Sequence, residues 1–309
     1  MIRNSSIDLA KLICAILIYC LHSGVAQNFS PVFHSVLENG IFRIGVPFFF
    51  IVTGYYFFNN VKTAADLYRW CKGVLLIYIF WMAVYFPFYF NKTVFTYVFG
   101  YWHLWYLMAL LLGGGVLYAI KEWKHSFVMV VVIAISGVLI QYERSIANID
   151  NLLVGRLISH DYFTRSFLFF ALPYLYFGWV INKYNLKNRI DKKIAMLMLF
   201  FSFALVVAEA ALQPFLIVNQ SFTRDLLFSN MVFVPLLLIA CLVYVLEIDN
   251  KKTRLLRDLS AVIFLIHPLA IMISNNSGLV SYRIVLQIAL MLILILLTFC
   301  TKKYLKFIF

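Results

Sequence analysis

IDLAKLICAILIYCLHSGVA, from Ile7 to Ala26, is a mostly apolar run that holds two strongly spaced ionisable side chains, Lys11 and His22. About 20 residues of α-helix cross a bilayer core, so the run predicts a membrane span. Eleven positions separate Lys11 from His22. In a helix that is a rise of about 16 Å and about three turns plus 20°, which puts both side chains on one face. Ionisable groups are costly in hydrocarbon and face a bundle interior or a water-filled cavity. The pair therefore predicts a polar path across a membrane. Lys11 lies near the cytoplasmic headgroups and His22 near the far side. Lys11 has a simpler alternative, snorkelling to the cytoplasmic phosphates.

The rest of the chain agrees with a membrane setting. Of 309 residues, 64% are hydrophobic and only 13% are charged, and the mean hydropathy is +0.91. A soluble domain carries about 25% charged residues. The apolar runs have the length of helices, not barrel strands. The expected fold is all-α, a polytopic membrane helix bundle with ten spans: 7–26, 41–59, 72–90, 101–120, 126–142, 165–182, 194–213, 226–247, 259–275 and 282–301. The fifth is the weakest on length. The longest connection, Glu143 to Thr164, reads as an outer loop or re-entrant lid. No extramembrane catalytic domain fits between the spans, so 1–309 reads as one integral membrane domain without internal repeats.

Basic residues set the orientation. With the N-terminus inside, cytoplasmic segments carry 18 Lys and Arg and outer segments 7, Lys11 being counted apart. Both termini are therefore expected in the cytoplasm. The net charge of +13 follows from topology and attraction to anionic lipid, with no nucleic acid required. An anionic cytoplasmic cofactor is the sharper reading of part of it. The five cysteines (Cys14, Cys20, Cys71, Cys241, Cys300) fall in or beside apolar spans without CxxC or paired spacing, and read as packing residues. No signal-peptide cleavage pattern opens the chain, so the first span is expected to be retained, with Ser5 and Asp8 capping its start.

Four polar groups should collect in the outer half: His22, Arg43 at the outer start of the second span, His103 in WHLWYL, and His267 in FLIHP. Histidine exchanges protons near neutral pH. Arginine holds a carboxylate, a phosphate or a developing oxyanion. Each has a structural alternative. Arg43 could snorkel to the outer interface, and His103 could belong to an aromatic belt with Trp102 and Trp105. His267 could satisfy carbonyls freed by Pro268. His22 is the hardest to explain by packing alone. Tyr55, Tyr101, Tyr106, Glu143, Arg144 and Asp161 are further candidates for lining an outer acceptor cavity. There is no GxSxG, P-loop, HExxH or metal-ligand cluster, and the run Gly113–Gly115 reads as close helix packing or a local break.

At these residues the chain resembles the bacterial integral membrane acyltransferase family three, whose members acylate exported or cell-surface glycans. The first-span pattern of a basic residue, ten residues and a histidine fits Lys11 and His22. RIGVPFFFIVTGYYFF from Arg43, WHLWYLMALLLG from Trp102, FALPYLYFGWVI from Phe170 and LSAVIFLIHP from Leu259 resemble later signatures, in order. Two positions depart from the pattern. Lys11 stands where arginine is usual, which keeps the charge but loses bidentate phosphate geometry. Thr53 stands where serine is usual, which keeps the hydroxyl.

The resemblance implies a multi-pass enzyme of the bacterial cytoplasmic membrane. It also implies an acyl-CoA donor, most often acetyl-CoA, on the cytoplasmic side and a glycan or glycolipid hydroxyl reached from outside. In that scheme Lys11 holds coenzyme A phosphates, and His22 is the general base or transient acyl carrier. Arg43 orients substrate or stabilises the oxyanion, while His103 and His267 bind substrate. The chain lacks the soluble esterase-like domain fused to some relatives. Transfer is then completed in the membrane domain or handed to a separate extracytoplasmic protein.

The runner-up is a transporter of a small amino acid such as serine. RIGVPFFF followed by GYYFF is particularly similar to the membrane domains of serine racemase-type resistance proteins, which are associated with amino-acid supply across the membrane. There His22 and Arg43 would bind a zwitterion and coenzyme A would be unnecessary. A non-catalytic scaffold for glycan synthesis is a third class, and it leaves the ionisable pair unexplained.

Overall fold

The computed structural model describes residues 4–146, 161–216, 224–278 and 282–301. Its principal helices are α1 (Ser5–Ser23), α2 (Pro31–Asn60), α3 (Ala64–Tyr85), α4 (Trp105–Ile120) and α5 (Ser126–Ile146). They continue with α6 (Leu172–Lys183), α7 (Lys192–Leu216), α8 (Phe228–Val243), α9 (Asn250–Asn275) and α10 (Arg283–Cys300). Among the described residues there is no strand. The fold is a polytopic all-α bundle, and each predicted span corresponds to one of these helices. Among the described residues, eight runs are long and apolar enough to cross a membrane. The two shorter helices are α8, with 16 residues, and α6, whose 12 residues follow a π-helical turn, Phe167–Ala171.

Several helices extend beyond their apolar windows, because hydropathy marks the lipid slab whereas caps mark the helix. The third starts at Ala64, where Thr63 and Asp66 form a reciprocal capping box. The ninth starts at Asn250, where the Asp249 side chain accepts from Lys251 and Lys252 N–H. The fifth, expected to be weakest, runs 21 residues, its outer end carrying Glu143 and Ser145 past the apolar stretch. At the first helix the cap is Asn4, whose side chain accepts from Ile7 N–H at 3.0 Å. The expected Ser5–Asp8 cap is thereby corrected. The Ser5 and Ser6 hydroxyls instead donate to the carbonyls of Leu246 and Tyr244, tying α1 to the α8–α9 connection. Most of the predicted loop from Glu143 to Thr164 lies outside the described residues.

Two glycines position the centre of the bundle. A Cβ on Gly54 of α2 would lie 1.9 Å from the Leu175 carbonyl oxygen, and one on Gly178 of α6 would lie 2.0 Å from that of Ile51. Only glycine at both positions lets these backbones touch, the small-residue packing used where hydrocarbon supplies no hydrophobic drive between helices. Of the Gly113–Gly115 run, Gly113 faces Leu175 and Ala171 of the α6 segment and Gly114 faces the Trp70 ring, so close packing is its local role. α10 is peripheral, with only 11% of its apolar window buried within the protein, so its apolar face is left to lipid.

Candidate active site

A cavity of about 540 Å³ opens between α1, α2, α3, α4 and α9. Asp8 and Lys11, in the first two turns of α1, and Arg257, in the N-terminal third of α9, line it. Lys11 Nζ sits 5.9 Å from the centre of the Phe49 ring. Arg257 pairs with the buried Asp258, its Nε donating at 2.6 Å. Thr53 also lines the cavity, its hydroxyl donating to the Phe49 carbonyl one turn back at 2.9 Å. At the deep end stand Phe49, Tyr106 and Phe264, with ring centroids 5.2 to 6.4 Å apart.

Beyond that ring layer lie the histidines. The Phe264 ring is 5.4 Å from His103 and 6.2 Å from His267. His267 stacks on His22 at 5.4 Å and 15°, and meets His103 at 5.1 Å. The three residues, 81 and 164 positions apart in sequence order, thus form one cluster. His103 is 3% exposed and His267 is 0% exposed, whereas His22 remains partly accessible. His22 is therefore the accessible member, with the other two behind it. Neither buried histidine is part of the cavity lining.

Local chemistry explains how this cluster is held. Pro268 lacks an N–H and interrupts the helical hydrogen bonding around it. His267 Nδ1 lies 2.8 Å from the Phe264 carbonyl and the Tyr85 hydroxyl donates to that of Leu265 at 2.7 Å. A carbonyl only accepts, so Nδ1 carries the proton and Nε2 the lone pair. The carbonyl-satisfying alternative for His267 is thus realised, and it fixes the ring within the cluster. His103 sits in a 3-10 turn, Trp102–Leu104. Trp102 has φ +49°, a left-handed conformation costly for a bulky residue, and its ring stands edge-on to His22 at 5.8 Å.

Arg43 does not begin its helix, as the sequence suggests. Helical structure starts at Pro31, and Arg43 lies in a 3-10 turn, Ile41–Ile44, within the run. Its side chain is 11% exposed and pairs with Asp225, itself 8% exposed, so interfacial snorkelling does not describe it. Arg165 binds the same carboxylate, with Nε donating at 2.6 Å. The charges of Arg43, Arg165 and Asp225 all act on His22.

Asp225 escaped the sequence reading, its only signal being an acid just before an apolar span. Its segment is held by Gln141, whose amide bonds both Leu226 N–H (2.9 Å) and Leu226 C=O (2.6 Å). Glu209 accepts from Phe228 and Ser229 N–H, at 3.0 and 2.7 Å, capping α8 from a neighbouring helix.

The other polar candidates disperse. Tyr106 lines the deep end of the Lys11 cavity. Tyr55 lines a separate cavity of about 400 Å³ with Asn4, Asn182 and Lys187. It follows Arg43 by 12 residues, about 18 Å further inward along a helix, which is why it misses the outer side. Tyr101 packs on Tyr85 and Tyr89, Glu143 is exposed, and the side chains of Arg144 and Asp161 lie outside the described residues.

An amino-acid racemase of Enterococcus faecalis is 24% identical over 305 residues, covering 89% of this chain and 42% of the relative. A serine/alanine racemase of Enterococcus gallinarum is 24% identical over 306 residues, covering 87% and 41%. The chain spans about two fifths of the length of these relatives. No solved structure matches it. The family described as acyltransferase domain matches residues 4–302, taking in the cavity, the histidine cluster and the Arg43–Asp225 pair. By that match over nearly its whole length, the chain belongs to the acyltransferase-domain family.

Proposed function

We propose that this protein is a membrane O-acyltransferase of the bacterial cytoplasmic membrane. It moves an acyl group, acetyl in the first instance, from cytoplasmic acyl-CoA to a hydroxyl of an exported or surface glycan. The observation that carries the reading is the cavity with Lys11 and Arg257 among its lining, which ends one aromatic layer short of the histidine cluster. Basic side chains suit coenzyme A phosphates. The ring-lined deep end of the cavity suits the pantetheine arm, with the thioester directed across the Phe264 layer toward His22.

In this scheme His22 takes the proton of the acceptor hydroxyl as its oxygen attacks the thioester carbonyl. A C–O bond forms, the C–S bond breaks, and the departing thiolate recovers the proton from His22. Arg43, aligned by Asp225, stabilises the oxyanion. His267, with Nδ1 committed to a backbone carbonyl, and His103 act as positioning residues that fix the His22 ring, in place of the substrate contact expected from sequence. A covalent acetyl-His22 is the variant in which the same ring serves as nucleophile.

Radiolabelled acetyl-CoA supplied to the protein in proteoliposomes, with membrane glycans present, tests the reading. Label should pass to glycan. Lys11→Ala should raise the KM for acetyl-CoA about tenfold, the worth of one charge-assisted contact, with kcat little changed. An unchanged KM would return Lys11 to snorkelling. Phe264→Leu thins the ring layer and should raise acetyl-CoA hydrolysis in the absence of acceptor. The resemblance of RIGVPFFF and GYYFF to the membrane domains of serine racemase-type proteins, with relatives named racemases, makes amino-acid transport the second reading. Saturable serine uptake without acetyl-CoA binding would establish that reading in place of the first.

A further inference from the structure

The cavity of about 400 Å³ that Tyr55 lines adjoins the Lys11 cavity, and Tyr56 belongs to the walls of both. At the end of α2, Asn60 lines the first cavity and Asn59 the second. The second is framed by the C-terminal ends of α2, α6 and α8, by Asn4 before α1, and by the turn after α6. Its size lies within the range of small-molecule pockets, about 300–1,000 Å³.

The two walls differ in chemistry. Asp8, Lys11 and Arg257 line the first cavity, whereas the second has four asparagines, two tyrosines and Lys187, with no carboxylate among the described residues. Two of the asparagines hold the fold. Asn4 caps α1 and donates to the Cys241 carbonyl at 3.0 Å, and Asn182 donates to the Tyr55 carbonyl at 2.7 Å. The second bond lies at the close α2–α6 contact, where a Cβ on Gly178 would stand 2.7 Å from Tyr55 N, so this wall is preformed. Asn59 and Asn185 are left over. Both are exposed, and neither side chain makes a hydrogen bond among the described residues. Asn185 has φ +49°, a left-handed conformation that asparagine tolerates, and the turn it opens carries Lys187 to the same wall.

A carboxamide pairs with adenine by accepting from the amino group and donating to a ring nitrogen. Tyrosine rings offer a base a stacking surface, and a lysine takes a phosphate. We propose that this cavity is the nucleotide subsite of the acyl donor. The adenosine 3′-phosphate of acyl-CoA lies there, its base at Asn59 and Asn185 and its 3′-phosphate at Lys187. The rest of the molecule passes Tyr56 into the Lys11 cavity. A lipid headgroup or free phosphate would engage Lys187 and leave both carboxamides without a role, whereas a nucleotide uses all three. The word donor rests on the acyl-transfer reading, whereas nucleotide binding does not.

Isothermal titration of the purified full chain in phosphatidylcholine nanodiscs, without acceptor, is the test. Coenzyme A and adenosine 3′,5′-bisphosphate, the fragment without the pantetheine arm, should both bind, and the fragment should displace coenzyme A. Lys187→Ala should weaken coenzyme A about tenfold and leave 3′-dephospho-CoA unchanged, because only the former carries the phosphate that this lysine meets. Asn59→Ala and Asn185→Gly should each weaken coenzyme A and the fragment about fivefold, glycine preserving the left-handed turn. Guanosine 3′,5′-bisphosphate should compete roughly tenfold less well. Coenzyme A binding that none of the three variants alters, or equal competition by the guanosine compound, overturns this inference and leaves the acyl-transfer reading standing. Wild-type protein that binds neither coenzyme A nor the fragment overturns both. Fragment binding that the variants weaken, with no acetyl transfer, overturns the acyltransferase reading alone.

Discussion

Replacing His22 with alanine should lower acetyl transfer by about 10² to 10⁴-fold, the usual contribution of a positioned general base. The effect is expected to be this large because His22 is the accessible member of its cluster. His103 and His267 are buried, and His267 has Nδ1 on a backbone carbonyl. Neither can take over the proton transfer without rearrangement around the Pro268 break. The measurement is label transfer from acetyl-CoA, with acetyl-CoA binding assayed on the same preparation. Binding should survive, since the cavity lining does not include His22. Wild-type levels of acylated product from the alanine variant would sink the mechanism. Acceptor-free incubation of the wild type separates its two forms. A hydroxylamine-sensitive acetyl group on His22 marks an acyl carrier, and its absence leaves the general base.

Asp225→Ala should cost on the order of 3–5 kcal/mol of stability, because breaking a buried ion pair strands the remaining charge. Here it takes the shared carboxylate from two cations, Arg43 and Arg165, whose side chains are 11% and 22% exposed. Transfer should fall with it, since Arg43 loses the partner that aims its guanidinium. Thermal unfolding and label transfer, measured together, divide the effect. Adding Arg43→Met to the Asp225→Ala variant removes one of the two cations that lost this carboxylate and should recover part of the lost stability without recovering activity. If the double variant is less stable than the single one by the full cost of a second lesion, the two side chains are uncoupled and the ion-pair account fails.

Much of this was legible in the chain. The ten helices follow from runs of apolar residues, and the spacing of Lys11 and His22 on one face follows from the helical repeat. Pro268 next to His267 already named the carbonyl-satisfying role, a strictly local effect. Helix ends were less legible, because Thr63–Asp66 and Asp249 cap helices outside the apolar windows. The Lys11 cavity was invisible, since its wall joins Phe49, Tyr106 and Phe264 across separate segments and its residues look like ordinary span residues.

The amino-acid sequence by itself determined the class, the helix count and the candidate histidines. These depend on hydropathy and helical period, which act over a few turns of chain. Only the tertiary structure decided that His22 is the accessible member of a three-histidine cluster, that one aromatic layer separates it from the Lys11 cavity, and that Arg43 answers to Asp225. Those pairings link residues as many as 245 positions apart. A buried charge takes whichever counter-charge packing brings to it, and no local pattern records that choice.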